Sequence, residues 1–94
     1  MRPAPAPEPY RSTPIFDEVT LPAALRREHR TKPGVWGVVR VIAGQLRLSF
    51  VDPHREFVLS PGSPGLLLPD QPHYVEPIGP MQMRVEFYDR PPEL

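Results

Sequence analysis

The sequence predicts an all-β domain, because short apolar segments of strand length alternate with turn residues at regular intervals. The prolines support this fold class: there are 16 of them in 94 residues, and beyond residue 10 they stand mainly between the apolar segments. Only residues 21–30 resemble a helix, since they combine good helix formers with an early proline. Strands in this number usually close their edges as a sandwich, jelly roll or barrel.

The N-terminal ten residues are predicted to form a proline-rich arm. Prolines at positions 3, 5, 7 and 9 favour an extended backbone and exclude a helix. We expect residues 1–10 to dock on another surface and residues 11–94 to form one folded domain, because the length leaves no room for a second hydrophobic core.

The first half of the domain is predicted to contain three strands. Residues 25–31 alternate mixed and polar side chains, residues 35–43 are rich in β-branched residues, and residues 45–51 alternate apolar with polar side chains. Gly44 joins the last two segments, which predicts a tight hairpin. The alternative for the first segment is a helix over residues 21–30.

The second half is predicted to contain four further strands, separated by turns rich in proline and glycine. The turns are Asp52-Pro53-His54, residues 60–65, residues 69–72 and Ile78-Gly79-Pro80. The strands cover residues 56–59, 66–68, 73–76 and 81–89.

Charge and composition argue against several partners. Eleven basic and eleven acidic side chains cancel, so no global field favours nucleic acid or an anionic membrane. No apolar run approaches the roughly 18 residues of a membrane helix, and the N-terminus lacks a signal-peptide pattern. The absence of cysteine excludes disulfides and thiolate metal sites and fits a cytoplasmic location.

The order of turns and strands resembles the TehB/YeaR-like cupin domain family, which includes the N-terminal domain of the tellurite-resistance protein TehB. The segments that carry the resemblance are Ser12–Phe16, Leu21–Ala23, Arg27–Trp36, Gly44, Pro69–His73 and Val85–Tyr88. The resemblance implies a double-stranded β-helix, or jelly-roll barrel, with an interior cavity. It also implies a homodimer and an association with tellurite or other oxyanion stress.

Full-length TehB-like proteins carry a methyltransferase domain after the cupin-like domain. The six glycines of this chain form no G-x-G-x-x-G loop, which is the usual signature of a nucleotide-binding half-domain. We therefore expect no methyltransferase activity from this chain.

The resemblance also implies a metal site, because cupins bind metal through histidines on facing strands. His29 stands in the first motif, which is degenerate, since Val35–Val38 occupy the place of the expected glutamate. His73 follows a proline-rich approach like that of the second motif. Glu86 is the third ligand that the resemblance favours, although strand alternation places it opposite the apolar face that includes Val85. Neutral imidazoles suit a divalent metal such as zinc or iron.

Each candidate residue also has a structural interpretation. His29 and His73 could be partly buried histidines that hydrogen-bond to backbone, and Glu86 could be a surface or dimer-rim carboxylate that pairs with Arg84 or Arg40. The basic cluster of Arg26, Arg27, Arg30 and Lys32 could hold an oxyanion or could be a solvated strand edge.

Three functions follow from these alternatives. The first is a metal-binding cupin-like protein that takes an oxyanion or a small molecule in its barrel. The second is a non-catalytic dimeric interaction module that presents the proline-rich arm. The third is a small metal-dependent enzyme, for which no complete ligand set can be assembled.

Overall fold

The computed structural model describes residues 6–94, so the first half of the predicted arm lies outside the described residues. Its strands are β1 (Arg11–Ser12), β2 (Phe16–Asp17), β3 (Trp36–Val51), β4 (His54–Leu59), β5 (Gly65–Leu67) and β6 (His73–Tyr88), and a 3₁₀ turn covers Ala23–Arg26. The described residues contain no α-helix, which confirms the predicted all-β class. None of their helical segments is long and apolar enough to cross a membrane.

All six strands belong to one antiparallel sheet in the order β1-β6-β3-β4, with β2 also on β6 and β5 also on β3. Strands β3 and β6 contain 16 residues each and pair along their whole length, from Trp36 opposite Tyr88 to Phe50 opposite His73. The other four strands add to the free edges of this central pair. The predicted turn at Asp52-Pro53-His54 is confirmed as the hairpin between β3 and β4.

The hairpin predicted at Gly44 is wrong, and so is the break predicted at Gly79. In each case the two predicted strands are one long strand. The register shifts between Val41 and Ala43 and again between Gly44 and Gln45, opposite Gly79 and Pro80 of β6. Because the irregularities of the two strands lie across from each other, the paired strands bend together and neither reverses. A glycine with positive φ serves a bulge as well as a hairpin.

The strand predicted over residues 25–31 is also wrong. The 3₁₀ turn occupies its start, and His29 forms only an isolated bridge to His73. The alternative helix over residues 21–30 is limited to that one short turn. The interruption places His29 at the edge of the sheet beside the first residue of β6.

The hydrophobic core is formed mainly by the two long strands. Apolar side chains from both halves of β3 and β6 meet there, and Leu46, Leu48 and Met83 are almost completely excluded from solvent. Leu21, just before the 3₁₀ turn, belongs to the same core cluster, and Leu25, within the turn, packs against it. Burying a side chain of this size stabilises the fold by about 1.5–3 kcal/mol.

Candidate functional site

The structure brings His29 and His73 into direct contact. The backbone N–H of each histidine donates to the carbonyl oxygen of the other at 2.9 Å. Residues in such a pair project their side chains to the same face, and the centroids of the two imidazoles lie 4.2 Å apart at an interplanar angle of 64°. Two histidines separated by more than forty positions therefore form one structural unit.

Each imidazole is oriented by a contact with a backbone carbonyl oxygen two residues earlier in the chain. Nδ1 of His29 lies 2.8 Å from the carbonyl oxygen of Arg27, and Nδ1 of His73 lies 2.7 Å from that of Gln71. A carbonyl oxygen only accepts hydrogen bonds, so each Nδ1 carries the proton. In the neutral rings Nε2 is consequently the atom with the free lone pair.

His73 is almost completely buried, with 1% of its surface exposed, and its Nε2 has no hydrogen-bond partner among the described residues. Burial lowers the pKa of His73 from 6.5 to about 4, and the neighbouring His29 adds to the effect, while the hydrogen bond to Gln71 opposes it. The His73 imidazole is thus neutral at physiological pH. It presents a lone pair in a region without water-exposed surface.

The histidine pair lines a cavity of about 150 Å³. Most of the wall is apolar. Its side chains come from the strands that form the core and from Leu25 in the 3₁₀ turn. The apolar wall consists of Leu25, Val39, Leu67, Val75, Met83, Val85 and Phe87. The cavity is therefore a small hydrophobic pocket with two imidazoles in its wall.

Three other polar residues border the cavity, and each already has protein partners. The Thr13 hydroxyl donates to the Pro14 carbonyl oxygen and accepts from a backbone N–H of β6. The Thr31 hydroxyl similarly donates to the carbonyl oxygen of Leu68. Arg30 is half exposed and lies 3.3 Å from the Asp70 carboxylate. Among the residues that line the cavity, His73 therefore has a buried side-chain atom, Nε2, with no partner among the described residues.

Glu86 does not line this cavity. It lies on the opposite face of the sheet, where its carboxylate accepts from Nε of Arg40 at 2.9 Å, from Arg84 at 3.0 Å and from the Tyr88 hydroxyl at 3.2 Å. Burial opposes ionisation of Glu86, but the hydrogen bonds from the two arginines outweigh it and hold the pKa below its usual range. The predicted pairing with Arg40 or Arg84 is confirmed, and both arginines take part. The predicted surface position is wrong, since Glu86 is buried with 7% of its surface exposed.

Removing the Glu86 carboxylate should destabilise the fold. Arg40 and Arg84 stand directly opposite each other on neighbouring strands, so Glu86→Ala leaves two like charges adjacent and unneutralised. We expect a loss of about 2 kcal/mol in the free energy of unfolding, because the two arginines retain partial access to water. Chemical denaturation of Glu86→Ala and of the unmodified protein measures this difference in the free energy of unfolding. Tyr88→Phe removes one neutral donor and should cost about 1 kcal/mol; equal losses in the two variants would contradict this account of Glu86.

Within residues 6–94, no three His, Asp or Glu side chains cluster in a way that would hold a metal ion. His54, in the β3–β4 hairpin, is exposed and lies beside Glu56.

The sequence identified the two histidines that meet but contained no signal for the carbonyl contacts that orient them. Those contacts come from backbone atoms, which every residue carries.

Comparison with known proteins identifies relatives of this domain. Residues 11–85 match the family model described as the TehB-like domain. The crystal structure of TehB from Haemophilus influenzae superposes with a TM-score of 0.79 at 25% identity, covering 88% of this chain and 31% of that one. A protein from Escherichia coli strain K12 superposes with a TM-score of 0.79 at 24% identity, covering 99% of this chain and 100% of that one. No curated protein sequence matches the chain significantly.

Proposed function

Because the chain belongs to the TehB-like domain family, we propose that it is a small cupin-type binding protein whose site is the cavity beside His29 and His73. The observation that carries the proposal is a pair of oriented imidazoles that line a largely apolar cavity. The bent sheet, with long strands broken by facing bulges, supports assigning the fold to the cupin jelly roll. We propose a cytoplasmic location, since a chain without cysteine suits a reducing compartment.

The cofactor in this proposal is a divalent metal, zinc or iron, held by Nε2 of both histidines. The hydrogen bonds from Nδ1 to backbone carbonyls support it, because ligating histidines usually donate their other ring nitrogen in this way. A metal there would act as a Lewis acid toward a molecule that completes its coordination. Glu86 is assigned to the arginine cluster on the opposite face and not to the ligand set.

Two imidazoles are fewer than the three protein ligands usual for a catalytic zinc ion. We therefore propose an exchangeable metal, with the remaining positions open to solvent, an oxyanion or a small molecule. The association with tellurite or oxyanion resistance comes from the family resemblance. Methyl transfer is not part of the proposal, because the sequence has no glycine-rich loop for the methyl donor.

Equilibrium dialysis of tag-free protein against zinc or ferrous ion tests the metal. We expect the double variant His29→Ala/His73→Ala to bind at least about tenfold more weakly than the unmodified protein, because no other histidine replaces the lost ligands. His54→Ala is the matched control, since this exposed histidine lies in the β3–β4 hairpin and does not line the cavity. Equal affinities in the unmodified protein and the double variant would reject the metal site.

A further inference from the structure

We propose that the cavity binds a compact, uncharged and mainly apolar molecule that carries one N–H or O–H group, with the size and polarity of phenol. In this arrangement the donor group of the ligand hydrogen-bonds to Nε2 of His73. The inference rests on the proposed function in using the same binding cavity, and it names the class of ligand. It applies to the metal-free protein, because a metal on Nε2 of His73 would occupy the same lone pair.

The first support is the unpartnered nitrogen. Nε2 of His73 is buried and has no hydrogen bond among the described residues, and an unpaired buried acceptor is unfavourable. The Nδ1 contact with the Gln71 carbonyl fixes this ring as an acceptor at Nε2. A ligand that donates one hydrogen bond would satisfy this acceptor, whereas a ligand that offers only acceptors would not.

The second support is the polarity of the wall. Seven apolar side chains line the cavity, and the hydroxyls of Thr13 and Thr31 are already occupied. Arg30 is the cationic side chain of the wall, and it is half exposed and paired with Asp70. An oxyanion entering here would lose its hydration without a buried cation to replace it, which is strongly unfavourable. A neutral ligand avoids this desolvation.

The third support is size and access. A cavity of this volume, about 150 Å³, is large enough for one benzene-sized ring. His29 is only half buried and Arg30 is exposed, so the cavity reaches solvent on their side. A ring that enters there would meet His73 with its polar group and the core side chains with its remaining surface.

Titration of the metal-free protein in EDTA with phenol, benzene and sodium tellurite, followed by NMR or calorimetry, tests the inference. We expect phenol to bind several-fold more tightly than benzene, since one net hydrogen bond is worth about 0.5–1.5 kcal/mol. Tellurite should bind more weakly than phenol. In His73→Phe, which keeps an aromatic ring but lacks the acceptor, the preference for phenol over benzene should disappear, whereas His54→Phe should retain it.

If His73→Phe fails to fold, the comparison of phenol with benzene in the unmodified protein still decides. Equal or tighter binding of benzene, tighter binding of tellurite, or no binding of any probe would overturn the inference. Zinc binding without a preference for phenol would reject the ligand class and leave the metal proposal standing. A preference for phenol without zinc binding would support the ligand class and reject the metal proposal.

Discussion

Gly44→Ala is expected to lower the free energy of unfolding by about 3 kcal/mol or more. Gly44 has a φ of +74° and lies in the bulged part of β3. A methyl group there would meet the carbonyl oxygen of Pro80 and the backbone of Met81. These atoms belong to the paired strand, so they cannot move aside as a flexible side chain would. The substitution must distort the point at which the two long strands bend together.

Gly34→Ala is the matched control for this steric argument. Gly34 has nearly the same φ, +77°, but a methyl group built on it meets no atom within 4 Å. Its substitution should cost only the conformational penalty of a left-handed residue, about 1–2 kcal/mol. Urea or guanidinium unfolding of both variants gives the comparison. Losses of the same size would show that backbone conformation, and not the approach of β6, makes glycine necessary at position 44.

The second large effect is a loss of stability in acid. For metal-free protein in EDTA, we expect the free energy of unfolding to fall by up to about 3 kcal/mol between pH 7 and pH 4 because of His73. Its folded-state pKa is lowered from 6.5 to about 4, so between these values the unfolded chain binds more protons. The contribution is fully present above pH 6.5 and is lost as the pH falls toward the folded pKa.

Denaturant unfolding at several pH values, compared between the unmodified protein and His73→Phe, isolates this contribution. Acidic groups such as Glu86, whose pKa is also lowered, should destabilise both proteins at the acid end of the range. Only the unmodified protein should show the additional slope between about pH 6.5 and pH 4. Parallel profiles would mean that His73 titrates normally and is not buried as the structure shows.

The fold class and several connections could be predicted because they depend on local chemistry. Proline, glycine and alternating apolar residues determine where a chain is extended and where it turns, which is why the turn at Asp52-Pro53-His54 is predicted correctly. The same local information was ambiguous at Gly44. A positive φ is compatible with both a reversal and a bulge, and the outcome depends on how β6 pairs across the strand.

The candidate site likewise depends partly on local sequence and partly on contacts between distant residues. The sequence by itself determined which histidines the chain has and, through the family resemblance, which two of them meet. Only the tertiary structure decided that Glu86 lies on the other face between two arginines, and that Nε2 of His73 is left without a partner in an apolar cavity. Side-chain identity is a property of the chain, whereas burial and hydrogen bonding depend on residues far apart in sequence, and these positions become neighbours only after the sheet has formed.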